Sequence, residues 1–107
     1  MPDHLTDLEQ LLLLAVLRMG DDAYGAALQL DLDERAERRV SLGSIHVTLG
    51  RLEERGLVGS AKAEPTGRRG GKARRIYAVT PAGREALERG REILERMWSG
   101  VPVGGRG

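Results

Sequence analysis

The stretch Val40-Ser41-Leu42-Gly43-Ser44-Ile45-His46-Val47-Thr48-Leu49-Gly50-Arg51-Leu52-Glu53-Glu54-Arg55-Gly56-Leu57-Val58 changes period at one point, and that change decides the fold. Up to Arg55 the apolar residues Leu42, Ile45, Leu49 and Leu52 recur at helical spacing and fall in one narrow sector of a wheel. Ser41 can cap the helix, and Gly56 offers a left-handed stop. From Leu57 onward the pattern alternates, as a strand does. The sector opposite the apolar one carries Gly43, Ser44, Val47, Gly50, Arg51 and Glu54, with Thr48 at its margin. Small and polar groups with one arginine stand where a merely solvated helix has alternating lysine and glutamate.

Downstream, Leu57 to Ala63 and Arg74 to Val79 read as two strands, the second with Ile76 and Tyr77 on opposite faces. The turn-rich segment Pro65-Thr66-Gly67-Arg68-Arg69-Gly70-Gly71-Lys72 joins them into a hairpin. Arg68, Arg69, Lys72, Arg74 and Arg75 lie within eight residues with no acid among them, although the net charge is only +1. The compensating acids, such as Asp31, Asp33, Glu34 and Glu37, lie elsewhere. A cluster of this kind points to an anionic partner at one place. Thr80-Pro81 then opens a last helix to Trp98, with Thr80 as cap and Pro81 in the first helical position. Along it Leu87, Leu94 and Met97 follow heptad-like intervals, Ile93 and Trp98 flank them, and Gly83 and Gly90 share the seam. Those five large apolar side chains are the expected dimerisation surface.

Upstream, Thr6-Asp7-Leu8-Glu9 has the spacing of a capping box for a helix from Asp7 to Met19, stopped by Gly20. Leu8, Leu11, Leu12, Ala15, Val16 and Met19 form one stripe, which Leu13, Leu14 and Leu17 widen. A helix so apolar is covered on more than one side, as a core helix or as part of a subunit interface. Asp21 or Asp22 is expected to cap a second helix from Ala23 to Ala36, with Tyr24, Leu28 and Leu32 inward. Gly25 would permit close helix packing there, and the charged stretch Asp31 to Arg39 reads as solvated.

The order is helix, helix, helix, strand, basic turn, strand, helix. This is a mainly α chain with a small β-hairpin, a winged helix-turn-helix followed by a C-terminal dimerisation helix. Residues 5–80 form the expected DNA-binding domain, 81–99 the dimerisation helix and 100–107 a disordered tail. A helix fits the major groove of duplex DNA while a basic loop reaches neighbouring phosphates. The third helix would present Ser44, Val47, Thr48 and Arg51 to the duplex. Arg51 can pair with guanine in bidentate fashion, and Val47 or the Thr48 methyl can meet a thymine methyl. Arg68, Arg69, Lys72 and Arg74 would follow the phosphate backbone.

Composition narrows the alternatives. A chain of 107 residues, 40% hydrophobic and 31% charged, fits one folded unit. It has no Phe, one Trp and two Tyr, and so thin a core gains from burial against a second subunit. The absence of cysteine excludes disulfides, thiolate metal sites and a thiol nucleophile. His4 and His46 have no clustered partners, so neither a catalytic centre nor a metal or other cofactor is expected. The apolar run Leu11 to Leu14 is too short for a membrane span and lacks the flanks of a signal peptide. A cytoplasmic location is expected.

Several segments resemble the PadR family of bacterial transcriptional regulators. They are Tyr24-Gly25, Val40-Ser41-Leu42-Gly43-Ser44-Ile45, Leu49 through Val58, and Tyr77-Ala78-Val79-Thr80-Pro81-Ala82-Gly83. Each alone is weak; their order, with Gly70-Gly71 before Arg74-Arg75-Ile76-Tyr77 and then Thr80-Pro81, is more specific. The likeness covers roughly residues 5 to 98, and the single helix after the hairpin looks like the compact branch of the family. It implies a homodimer held by the C-terminal helix, often with help from the first, on a roughly palindromic operator and usually as a repressor. His46 and Val47 depart from the Tyr and Pro that the family commonly has there. The resemblance also implies a candidate effector: some members bind flat aromatic compounds between subunits, where Trp98 could stack. A winged helix used only to bind another protein, without direct DNA contact, is the alternative.

Overall fold

The computed structural model describes residues 4–63 and 74–104. Helix α1 spans Asp7–Met19. Its capping box is complete: Thr6 Oγ1 accepts from the Glu9 amide at 3.2 Å, and Glu9 Oε1 accepts from the Thr6 amide at 2.9 Å. Leu12, Leu13, Ala15 and Val16 are buried, so the core lies on more than one side of α1, while Leu14 and Leu17 face out. Gly20, at φ +57°, ends the helix in a conformation that disfavours any side chain.

Helix α2 spans Gly25–Ala36, two residues later than the expected start at Ala23. Gly20–Asp22 form a 3-10 turn instead, and neither Asp21 nor Asp22 caps α2, whose N-cap is the extended Tyr24. The reason lies across the fold. The Ala23 carbonyl, which would begin the helical ladder, accepts from the Tyr77 amide at 2.9 Å. The charged stretch after Leu30 also differs from its solvated reading at one residue. Asp31 has a side chain only 14% exposed and is paired with Arg18 of α1 and Arg35. Gln29 Nε2 donates to the Val40 carbonyl at 3.0 Å and ties down the turn that follows.

Helix α3 spans Leu42–Glu54, capped by Ser41 Oγ, which accepts from the Ser44 amide at 3.0 Å. Ile45, Leu49 and Leu52 are fully buried. Leu42 is not part of that set: at 39% exposed it lies in the first turn, at the rim beside Gly25. A β-carbon on Gly25 would sit 3.1 Å from His46 Cε1 and 3.3 Å from Leu42 Cδ1, so the missing side chain brings α2 onto α3.

Strands β1 (Val58–Ala63) and β2 (Arg74–Val79) pair antiparallel, from Val58 opposite Val79 to Ala63 opposite Arg74. The first strand starts one residue after the expected Leu57. The Leu57 amide still closes α3 by donating to the Leu52 carbonyl, at 2.9 Å. Helix α4 spans Pro81–Trp98, with Thr80 Oγ1 accepting from the Gly83 amide at 3.0 Å. Thr80 also holds the end of α3. Its hydroxyl donates to the Gly56 carbonyl at 2.7 Å and its amide to the Leu57 carbonyl at 3.1 Å.

The last helix divides in two. Gly83, Ala86 and Leu87 are buried, and Gly90 is half-buried beside Gln10 of α1; from Arg91 onward every residue is exposed. Leu87 therefore belongs to the chain's own core. An 18-residue helix is about 27 Å long, so its second half projects well beyond the rest. The radius of gyration is 16.0 Å, against about 13 Å for a compact chain of this length.

Candidate nucleic-acid interface

The outer face of α3 is built by the packing of its inner one. With Ile45, Leu49 and Leu52 buried, the helical repeat turns Ser44, Val47 and Arg51 to solvent and leaves Thr48 half-buried at the margin. Val47 is 55% exposed, although it is β-branched and apolar. Arg51 has no ion-pair partner among the described residues. Ser44 Oγ accepts from Ser41 Oγ at 3.1 Å and keeps its own proton for a further partner. Among the described residues, a methyl group on Gly50 would meet nothing within 4 Å, and one on Gly43 would only reach Ser41 Oγ at 4.0 Å. Packing among the described residues therefore asks for glycine at neither position, although glycine costs about 1 kcal/mol relative to alanine inside a helix.

The hairpin stands beside this face and is tied to both neighbouring helices. Arg74, the first residue of β2, lays its guanidinium over the Tyr24 ring with Cζ 4.2 Å from the centroid. Arg75, next along the strand, points the other way: its Nη1 donates to Ser60 Oγ at 2.9 Å, and that hydroxyl donates to Glu53 Oε2 at 3.0 Å. Of the expected wing cations, Arg74 is exposed at the loop end of the paired strands, opposite Ala63, while Arg68, Arg69 and Lys72 lie outside the described residues. Sequence reasoning placed Tyr24 on the inner side of α2 and gave no role to Ser60 or Glu53. The signal available for Arg74 and Arg75 was the two-residue alternation of a strand, which sends adjacent side chains to opposite faces.

Burial pushes the Tyr77 phenol above its ordinary 10.0, against an opposing pull from Arg75 and with a smaller push from Glu53. The folded chain thus holds that proton more tightly than the unfolded one. The resulting contribution to stability is intact below pH 10.0 and is lost as the pH rises through the folded-state value. Thermal melts above pH 10 should fall less steeply for Tyr77→Phe than for the wild type; parallel curves would remove this account.

A second surface lies along the end of α4. Ile93, Leu94, Met97 and Trp98 are exposed, the last two at 70% and 69%. Leu14 and Leu17 of α1 join Leu94 and Trp98 around a groove of about 480 Å³. Of the five expected dimerisation residues, Leu94 and Trp98 line this groove with Leu87 at its inner edge; Ile93 lines a neighbouring hollow beside Leu5, and Met97 is exposed outside both.

The geometry has known counterparts. The model of the transcriptional regulator PadR-like family matches residues 13–89. A transcriptional regulator from Mycobacterium tuberculosis is 43% identical over 77 residues, which are 72% of this chain and 67% of that protein. A solved PadR-like transcriptional regulator from Bacillus cereus is 26% identical, with a TM-score of 0.71 over 88% of this chain and 86% of that one. A PadR family transcriptional regulator from Eggerthella lenta is 25% identical, with a TM-score of 0.68 over 89% and 82%. The four α-helices and two-stranded antiparallel hairpin of the described residues match these winged helix-turn-helix structures in fold.

Proposed function

This chain belongs to the PadR-like family of transcriptional regulators, and from that membership we propose that it represses transcription as a homodimer on a roughly palindromic duplex operator. The observation that carries the reading is the outer face of α3, where, among the described residues, Arg51 has no ion-pair partner and neither Gly43 nor Gly50 has a packing role. Ser44, Val47, Thr48 and Arg51 meet the major groove, and glycine at 43 and 50 lets the helix backbone come close to the duplex. Arg68, Arg69 and Lys72 follow the phosphates of the same strand region. Among the described residues no helix is long and apolar enough to cross a membrane, and the protein works in the cytoplasm, where its DNA lies.

Wing and recognition helix should separate in one experiment. Binding is measured against salt for the wild type, for Arg68→Ala with Arg69→Ala, and for Arg51→Ala. Each lost phosphate contact lowers the logarithmic salt slope by about 0.9, so the double variant binds all duplexes more weakly with a flatter slope. Arg51→Ala instead relaxes preference at particular base pairs, at a cost of about 1–3 kcal/mol for a bidentate guanine contact. Failure of the wild type to bind any duplex at low salt would leave the protein-interaction module as the better reading.

Two copies of α4, each offering Ile93, Leu94, Met97 and Trp98, hold the dimer. One observation favours an effector as well: the open groove beside Trp98 is large enough for a planar aromatic compound. Such a ligand regulates DNA binding only by preferring one arrangement of the two subunits over another.

A further inference from the structure

The two arginines that open β2 are directed to opposite sides of the hairpin, and each ends on a different helix of the helix-turn-helix. Arg75 reaches the C-terminal end of α3 through Ser60 and Glu53. Arg74 reaches the N-terminal end of α2 through the Tyr24 ring. Three residues along the same strand, the Tyr77 amide donates to the Ala23 carbonyl at 2.9 Å. The segment Ala23-Tyr24 is thereby held by β2 at two points, once by its backbone and once by its ring. The next residue, Gly25, lies against His46 of α3. The start of β2, the start of α2 and the exposed helix α3 form one connected unit.

We propose that the Arg74–Tyr24 stack is a positioning device, which fixes the loop end of the paired strands relative to α3 and so sets sequence discrimination, rather than a phosphate contact. This rests on the DNA-binding reading above and reassigns one residue within it. A guanidinium held over the face of an aromatic ring has its position fixed by that ring. Tyr24 is suited to the task because it is the N-cap of α2 with extended backbone and makes no side-chain capping bond, which leaves its ring to the hairpin. Holding two reading elements at a fixed separation favours the duplex whose contacts match that separation; a phosphate contact favours all duplexes alike.

The test compares two probes: the duplex that the wild type enriches from a random library, and a scrambled duplex of the same composition. Tyr24→Leu and Arg74→Gln should each lower the ratio of the two affinities by about two- to fivefold, the range of a surface cation–π contact. The double variant should do no worse than the weaker single one. Tyr24→Phe, which keeps the ring, should restore the wild-type ratio. Equal losses on both duplexes for Arg74→Gln, or additive losses in the double variant, would overturn the proposal in favour of a direct phosphate contact. A loss in Tyr24→Phe would assign the role to the hydroxyl and overturn it equally. Should the wild type prefer neither duplex, the function proposed above fails, and the stack is judged on the free protein. Hydrogen exchange at the Tyr77 amide should then quicken in both Tyr24→Leu and Arg74→Gln, and unchanged exchange would overturn the brace itself.

Discussion

Replacing Gly83 by alanine is expected to cost about 3 kcal/mol of stability, at the upper end of overpacking effects. Helix propensity alone forecasts the reverse, a gain of about 1 kcal/mol from removing a glycine inside α4. Packing decides between them. A β-carbon at this position would lie 2.1 Å from the Leu57 carbonyl oxygen and 2.9 Å from Val79 Cγ1. The first neighbour is backbone, held by the Thr80 amide, so it has no rotamer with which to yield. For a chain of this size the loss corresponds to a thermal midpoint lower by roughly 12 °C or more. A melt of Gly83→Ala at or above the wild-type temperature would show that α4 does not sit so close to the hairpin.

Leu94→Asp is expected to convert the dimer to folded monomers. Leu94 is 53% exposed within one chain, so the fold has little to lose from the change. In the proposed dimer the same side chain would be buried once in each copy. Full burial of a leucine is worth about 1.5–3 kcal/mol, so covering the half of Leu94 still exposed in two copies changes the dissociation constant by roughly tenfold or more, before the cost of burying a carboxylate is counted. Sedimentation should give a monomer for the variant at concentrations where the wild type is dimeric, with helical circular dichroism retained. A variant that stays dimeric would place the interface elsewhere, and a monomeric wild type would remove it.

The features legible in the sequence were those governed by neighbours along the chain. Thr6 with Glu9, Ser41, and Thr80 with Pro81 mark the starts of α1, α3 and α4 correctly because a cap bonds to amides within three residues. The start of α2 was missed because its determinant is Tyr77, far along the chain, whose amide takes the Ala23 carbonyl. Leu57 was read as strand because its side chain alternates correctly, although its amide still belongs to α3. Asp31 looked solvated among charged neighbours because its partner Arg18 lies on another helix. The seam of α4 was visible as a pattern, yet periodicity cannot say where along it the chain's own core ends; contact with α1 and the hairpin places that point near Gly90. The outer face of α3 was legible for the opposite reason, since three buried residues on one side fix what the other side shows. The stack of Arg74 on Tyr24 was not, because it joins two residues that no local rule connects.

The junction at Thr80 has a mechanical consequence. One residue grips the Gly56 and Leu57 carbonyls, just beyond the last turn of α3, while starting α4. With Gly83 seated directly on Leu57, there is no slack between the two helices. The far helix then acts as a rigid arm about 27 Å long, whose angle is transmitted to the reading head rather than absorbed on the way. If two such arms cross in the proposed dimer, a swing of roughly 10° displaces the opposite end of an arm this long by about 5 Å, given its rise per residue. Successive nucleotides along one DNA strand are about 3.4 Å apart. In the proposed dimer the crossing angle of the arms would thus set operator spacing on the scale of a base pair, and a side chain at the tip of α4 would select DNA it never touches.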